Sequence, residues 1–253
     1  MNGQLVLRCA QRDGCSRLLT SRFYGVARAS RALREPDRAL RVVTSTLGPG
    51  ILAGDRLMRE VEVGAGARLV VAAQMATPVF AGTAPSRGDA WARVAAGAAL
   101  FAPGDVLLLA AGAAHESSAR LDVSGDGFAL HAEIVVLGAG ARLRSRTLAR
   151  IDGRLAVRDA CDLDGDGSER ALLTAIALSA DDERQASLAT ALGELFAREA
   201  AVRGGLGATD GATILRAQAD GAWPLQRLLE RIVAVARMHE AERPRALPHL
   251  QPA

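Results

Sequence analysis

The sequence predicts a mainly β protein of stacked layers, with about two α-helices in its C-terminal third. Three observations carry this. Turn signals recur about every eight to twelve residues through the first two thirds of the chain, the spacing of short strands. Apolar residues make up 49% of the sequence but aromatics only 3%, so a core of Ala, Val and Leu suits thin, closely stacked layers. Beyond residue 179 the apolar period changes to that of helices. At 253 residues the chain reads as one domain, β-rich over 1–178 and helix-containing over 179–253.

Taken in order, Leu5–Arg8 is a strand, Arg12-Asp13-Gly14 a turn, and Gly14–Leu18 opens the next strand. Arg22–Arg41 carries six arginines and is broken at Pro36; it is either a solvated face or a contact for an acidic partner. Leu40–Ser45 is a strand. Gly48-Pro49-Gly50 and Ala53–Arg56 are turns. Leu57–Val63 alternates, with Leu57, Arg59, Val61 and Val63 on one face, so that Arg59 interrupts an otherwise dry side. Gly64-Ala65-Gly66 turns the chain and Leu69–Ala73 is a buried strand, which makes 57–73 a hairpin on local grounds.

Gly82–Asp89 reads as a mobile loop, Trp91–Phe101 as strand, Pro103-Gly104-Asp105 as a turn and Val106–Ala111 as a buried strand capped by His115–Ser118. Ser124–Gly127 is a hairpin turn before an apolar strand, Phe128–Gly138. Leu143–Ala160 is a second hairpin, around Asp152-Gly153. The hexapeptide Gly64–Leu69 is echoed by Gly138–Leu143; two copies are too few for a repeat architecture and read as coincidence. Glu183–Ala201 is a helix with Ser179 or Asp181 as its cap. Gly204–Gly211 reads as a glycine-rich loop and Thr213–Arg216 as a short strand. The second helix opens at Pro224, ends before Pro244, and carries Leu225, Leu228, Leu229, Ile232, Val233 and Ala236 on one face.

Composition excludes several functions. The chain contains no lysine, so there is no phosphate-loop lysine and no Schiff base. A net charge of +3 without basic–aromatic runs argues against nucleic acid. No apolar run is long enough to span a membrane; the protein reads as soluble and cytoplasmic. Cys9, Cys15 and Cys161 form no disulfide framework. Asp162–Gly167 resembles half a calcium loop, but Leu173 stands where a bidentate Glu is required. His115, His131, His239 and His249 have no metal-ligand spacing; His131 reads as a core histidine and His239 as a helix-terminal or interface residue. Asp55 most simply caps a turn.

The run Gly54-Asp55-Arg56-Leu57, an acidic strand, Gly64, Gly66 and Ala67, an apolar strand, then Gln74, Ala76 and Thr77 resembles the urease accessory protein family called UreD or UreH. Glu133, Leu137 and Gly138 fit the family's next strand, and Arg216, Arg237, Pro244 and Arg245 fit its C-terminal pattern. Ala53, Ala73, Pro78 and Ala139 depart from it, and no Gly-Glu pair follows Gly138.

The resemblance implies an elongated, β-helix-like body and a non-enzymatic scaffold. It also implies binding to apo-urease and to UreF-type and UreG-type partners, and help in placing nickel in the urease active site, with no tightly bound cofactor and only transient nickel. Scattered carboxylates around an internal passage would hold nickel weakly enough to release it; Asp55, Thr77 and Glu133 are the candidate passage residues. The alternatives are a β-fold hydrolase using paired carboxylates, and a paralogue that has kept the scaffold but lost the urease role.

Overall fold

The computed structural model describes residues 2–74, 76–168 and 170–241. Its strands are β1 (Asn2–Arg12), β2 (Cys15–Gly25), β3 (Ala27–Ala29), β4 (Leu33–Arg34), β5 (Leu40–Thr46), β6 (Arg56–Val63), β7 (Arg68–Ala73), β8 (Thr77–Val79), β9 (Ser86–Val94), β10 (Ala99–Leu109), β11 (Ala114–Val123), β12 (Phe128–Leu137), β13 (Arg142–Ile151), β14 (Arg154–Asp164), β15 (Arg170–Ser179), β16 (Arg203–Thr209) and β17 (Ala212–Asp220). The helices are α1 (Asp182–Ala197) and α2 (Ala222–Ala241).

The strands form two sheets. The first has seven strands in the order β14-β13-β11-β9-β6-β1-β2. The second has ten, with the path β16-β17-β15-β12-β10-β7-β5-β3 and with β4 and β8 attached to β5 and β10. From β5 to β13 the chain passes back and forth between the sheets, and successive strands within each sheet pair in parallel. This is a β-solenoid coil. Antiparallel strands flank it: β1–β2 at one end, β13–β14 at the other, with β15, β17 and β16 extending the second sheet.

The turns of the coil repeat. Gly64–Ala67, Ala95–Ala98 and Ser124–Gly127 are each closed by a backbone hydrogen bond of 3.1 Å. Leu52–Asp55, Ala110–Ala113 and Gly138–Ala141 are closed at 2.9–3.0 Å. In five of these six turns the third residue is a glycine with positive φ, as at Gly66 (+69°) and Gly140 (+66°), a conformation cheap only for glycine. The echo between 64–69 and 138–143 is therefore structural, not coincidental.

Several local expectations change for the same reason. A turn signal does not say whether the next strand pairs with its predecessor or crosses to the other sheet. Segment 57–73 is no hairpin, because β6 and β7 lie in different sheets, and neither is 124–127, because β11 and β12 do. Gly82–Asp89 is not wholly loop, since β9 begins at Ser86. The expected strand 91–101 is interrupted by the turn at 95–98. Pro103-Gly104-Asp105 is a bulge inside β10, where the register with β12 shifts. His115–Ser118 belongs to β11. Most of Gly204–Gly211 belongs to β16, which is paired along its length with β17. The hairpin around Asp152-Gly153 forms as expected.

Both helices cover the outer face of the second sheet. Leu188, Leu192, Leu225, Leu228 and Ile232 pack with Phe101, Phe128, Leu130 and Ile134 in one core. Asp181 is the N-cap of α1, accepting from Arg184 N–H at 3.0 Å. Arg237 in α2 bonds Asp37 at 2.7 Å and also pairs with Glu35, which holds the helix to the segment before β5. No helix among the described residues is long and apolar enough to cross a membrane. Phe101 and Phe128 lie with ring centroids 5.5 Å apart. Phe101→Ala is expected to cost about 3–5 kcal/mol, read as a lower urea midpoint.

Candidate functional site

Parallel, in-register strands put side chains in rows that run along the coil. On the inner face of the first sheet, Leu7, Val61, Ala92, Leu121 and Ala149 form one row, with Cys9, Val63, Val94, Val123 and Ile151 beyond it. Both are apolar, and their buried members belong to a core shared with Leu69, Leu100, Ala129 and Leu178 of the second sheet. The next two rows differ. One is Leu5, Arg59, Ala90, Ala119 and Thr147; the other is Gly3, Leu57, Gly88, Ser117 and Ser145. Beyond them stand Ser86, His115 and Leu143, with Asp55 one residue before the Arg56–Arg87 pair. A third core, containing Leu107, Val135, Leu137 and Leu143, closes the far side.

Gly, Ala and Ser are too small to reach the opposite sheet. They leave a cavity of about 120 Å³ between the two apolar cores, room for about four waters. The second sheet fills its wall with polar groups: Thr44, Asp105, His131 and Glu133. Gly104 in the β10 bulge has no room for a side chain, since a Cβ there would stand 2.1 Å from the Ala132 carbonyl oxygen. Asp105, next to it, reaches Arg59 of the first sheet at 2.9 Å.

Glu133 accepts from Ser117 Oγ at 3.2 Å, and Ser117 Oγ lies 2.9 Å from Ser145 Oγ. Burial, with the Asp105 charge adding to it, pushes Glu133 up to about 7. Burial pushes His131 and His115 down to about 4, and Arg59 reinforces the shift at His131. His115 Nδ1 is 2.8 Å from Ser86 Oγ. Its Nε2 faces Gly88, where a Cβ would stand 3.3 Å away. Among the described residues no group of three or more His, Cys, Asp or Glu is placed to hold a metal ion.

Of the expected passage residues, Glu133 lines the cavity, whereas Asp55 and Thr77 do not. Asp55 is buried and caps its turn, accepting from Leu52 N–H at 2.9 Å. Thr77 is buried in β8. His131 faces the cavity instead of packing in an apolar core.

Gly54 and Gly66 are turn glycines with positive φ, and a Cβ at Gly138 would meet backbone atoms at 2.8 Å. Arg56 begins β6, and Gln74 N–H bonds Thr44 O at 2.9 Å. Arg216 pairs with Asp159 across the two sheets. His239 lies in the last turn of α2. Pro244, Arg245 and His249 lie outside the described residues. Sequence reasoning missed Asp105, Ser117, Ser145 and the Ser86–His115 pair as a group; the available signal was Arg59 on an otherwise apolar strand face.

The fold is a stacked β-solenoid with a cavity lined in part by polar side chains between its two sheets. The family model described as UreD urease accessory protein matches residues 1–252, and the chain belongs to that family. Urease accessory protein UreD of Rhodopseudomonas palustris (strain BisA53) is 35% identical over 137 residues, 51% of this chain and 48% of that protein. The protein of the same name from Anaeromyxobacter sp. (strain Fw109-5) is 33% identical over 132 residues, 48% and 44% respectively. That from Actinomyces naeslundii is 31% identical over 169 residues, 62% of each. The first two matches span about half the length of those relatives.

Glu133→Gln isolates the cavity acid. The folded state favours its protonated form. This contribution is complete below the ordinary value of 4.5 and is lost as pH rises through about 7. His115 and His131 have the opposite sign: their neutral forms stabilise the fold above 6.5, and this is lost as pH falls toward about 4. The wild-type urea midpoint minus that of E133Q is therefore expected to fall as pH rises from 4.5 to 7 and then level off.

Proposed function

We propose that this protein is a non-catalytic scaffold of urease maturation. In this reading it binds apo-urease together with UreF-type and UreG-type proteins, and nickel moves through the space between its sheets toward the urease active site. The cavity with Glu133, Asp105 and His131 on one wall and Ser117, Ser145 and His115 on the other carries the passage part of the reading. These groups are hard or borderline donors spread along the coil. Such a set suits a divalent cation that must leave again; a compact His/Cys cage would retain it. Membership of the UreD family supports the maturation part.

The hydrolase alternative needs a cleft that takes a substrate. Asp105 and Glu133 do face one cavity, but Asp105 is held by Arg59. The space takes a few waters, not a sugar, and among the described residues no Phe, Tyr or Trp lines it.

Co-purification with the UreF-type protein and apo-urease of the same cell tests the scaffold, and nickel per urease protomer tests the passage. Wild type is expected to form the complex. Glu133→Ala is expected to leave the complex intact and lower urease nickel content. Unchanged nickel content in E133A, with a stable complex, would remove the cavity from the pathway. Absence of a complex with well-folded protein would favour the paralogue reading.

A further inference from the structure

We propose that the free edge of β2 is a strand-addition site for an extended acidic segment of a partner protein. β2 ends the first sheet; it spans eleven residues and pairs only with β1. Its other edge offers backbone groups to an incoming strand. The remaining sheet ends differ. β14 carries Arg154, Arg158, Asp162 and Asp164, the mixed charges that repel strand pairing. β16 is three-sevenths glycine, and β3 has three residues. β2 carries no acid, and its only charges are Arg17 and Arg22.

Large apolar side chains stand exposed on this edge: Leu19 at 49%, Phe23 at 46% and Tyr24 at 72%. Leu19 falls where the β1–β2 register shifts. Arg28 stacks over Phe23, 5.3 Å from its ring centre.

Charge selects the partner. β3 and β4 border the second sheet at this same end of the coil, with β3 and β5 against β2, and Arg17 and Arg22 stand on β2 itself. The acids of residues 22–38 are already used: Glu35 by Arg41 and Arg237, and Asp37 by Arg237. Among the described residues Arg17, Arg22, Arg31, Arg34 and Arg38 have no ion pair. A strand with carboxylates on one face and apolar residues on the other would meet both features: main-chain bonds give it a register and the guanidinium groups fix its sign. Residues of β1, β3 and β5 at this end also line the cavity, so the docked segment would lie beside it.

The probe is a labelled peptide of alternating Val and Glu, compared with one of alternating Val and Lys, added to the full chain. Fluorescence anisotropy reads binding and amide hydrogen exchange reads pairing. The Val/Glu peptide is expected to bind, to weaken with added salt, and to protect alternate amides within residues 17–23. Arg17→Glu with Arg22→Glu is expected to weaken it at least about tenfold. If the reversal disturbs folding, Arg17→Gln with Arg22→Gln is expected to weaken binding less but measurably. Equal binding of the Val/Lys peptide, binding without protection of β2, or occupation of the edge by a second copy in a concentration-dependent dimer would each overturn the proposal. No urease component enters the measurement, so its outcome is separate from that of the maturation reading.

Discussion

The Arg59–Asp105 ion pair joins the two sheets where small side chains have left a gap between them. Its partners sit on strands of opposite sheets, at 2.9 Å, each about one quarter exposed. Their partial exposure lowers the cost of keeping these charges between the sheets. Removing either partner would strand the other in a space flanked by apolar cores. The pair spans the gap between the sheets at mid-strand, in the same cavity as Glu133 and Ser117. Leu57–Val63 keeps Val61 and Val63 in the dry core, while Arg59 stands at the first step out of it.

The rows follow from the coil. In a parallel stack a residue type chosen at one position is repeated along the axis, or the stack changes character there. Ala90 and Ala119 beside Arg59, and Gly88, Ser117 and Ser145 beside Leu57, keep one band of the interior open over several strands. The bulky aliphatic rows on either side make it a band instead of a general loosening. The six inter-sheet turns fix the register that makes such rows, and the recurring positive-φ glycine is the local feature that lets each turn close in four residues.

Much of this was legible before the coordinates. Turn spacing gave the β body, the change of apolar period gave the helices, and alternation exposed Arg59 as out of place. What local sequence could not carry was the destination of each turn. Gly64–Gly66 and Ser124–Gly127 have the composition of hairpins but send the chain to the other sheet, a choice made by pairing energies tens of residues away. Pro103-Gly104-Asp105 has turn chemistry and is a bulge, because β12 pairs with β10 on both sides of it. The glycines of 204–207 form a strand because β17 supplies a full ladder of partners. Glu133 was reached through resemblance; its proximity to Asp105, Ser117 and Ser145 is a product of register and has no signature within any one strand.

The two faces of the body follow from where the apolar surface lies. The outer face of the second sheet carries Phe101, Phe128, Leu130 and Ile134, more than solvent tolerates, and both helices are committed to covering it. Their ends are tied by charge as well as packing: Arg237 of α2 to Glu35 and Asp37, and buried Glu240 to Arg184 at 3.3 Å. The first sheet needs no cover, because its outer face is a mesh of pairs such as Arg8–Glu62, Arg87–Glu116 and Arg144–Asp162. That mesh stops short of β2, whose two charges have the same sign. The ends of a solenoid are where stacking has no next rung, so an end must be turned back, charged against pairing, or used. β13–β14 turns back and presents both signs; β2 turns back with aromatic and aliphatic side chains exposed and only arginines for charge.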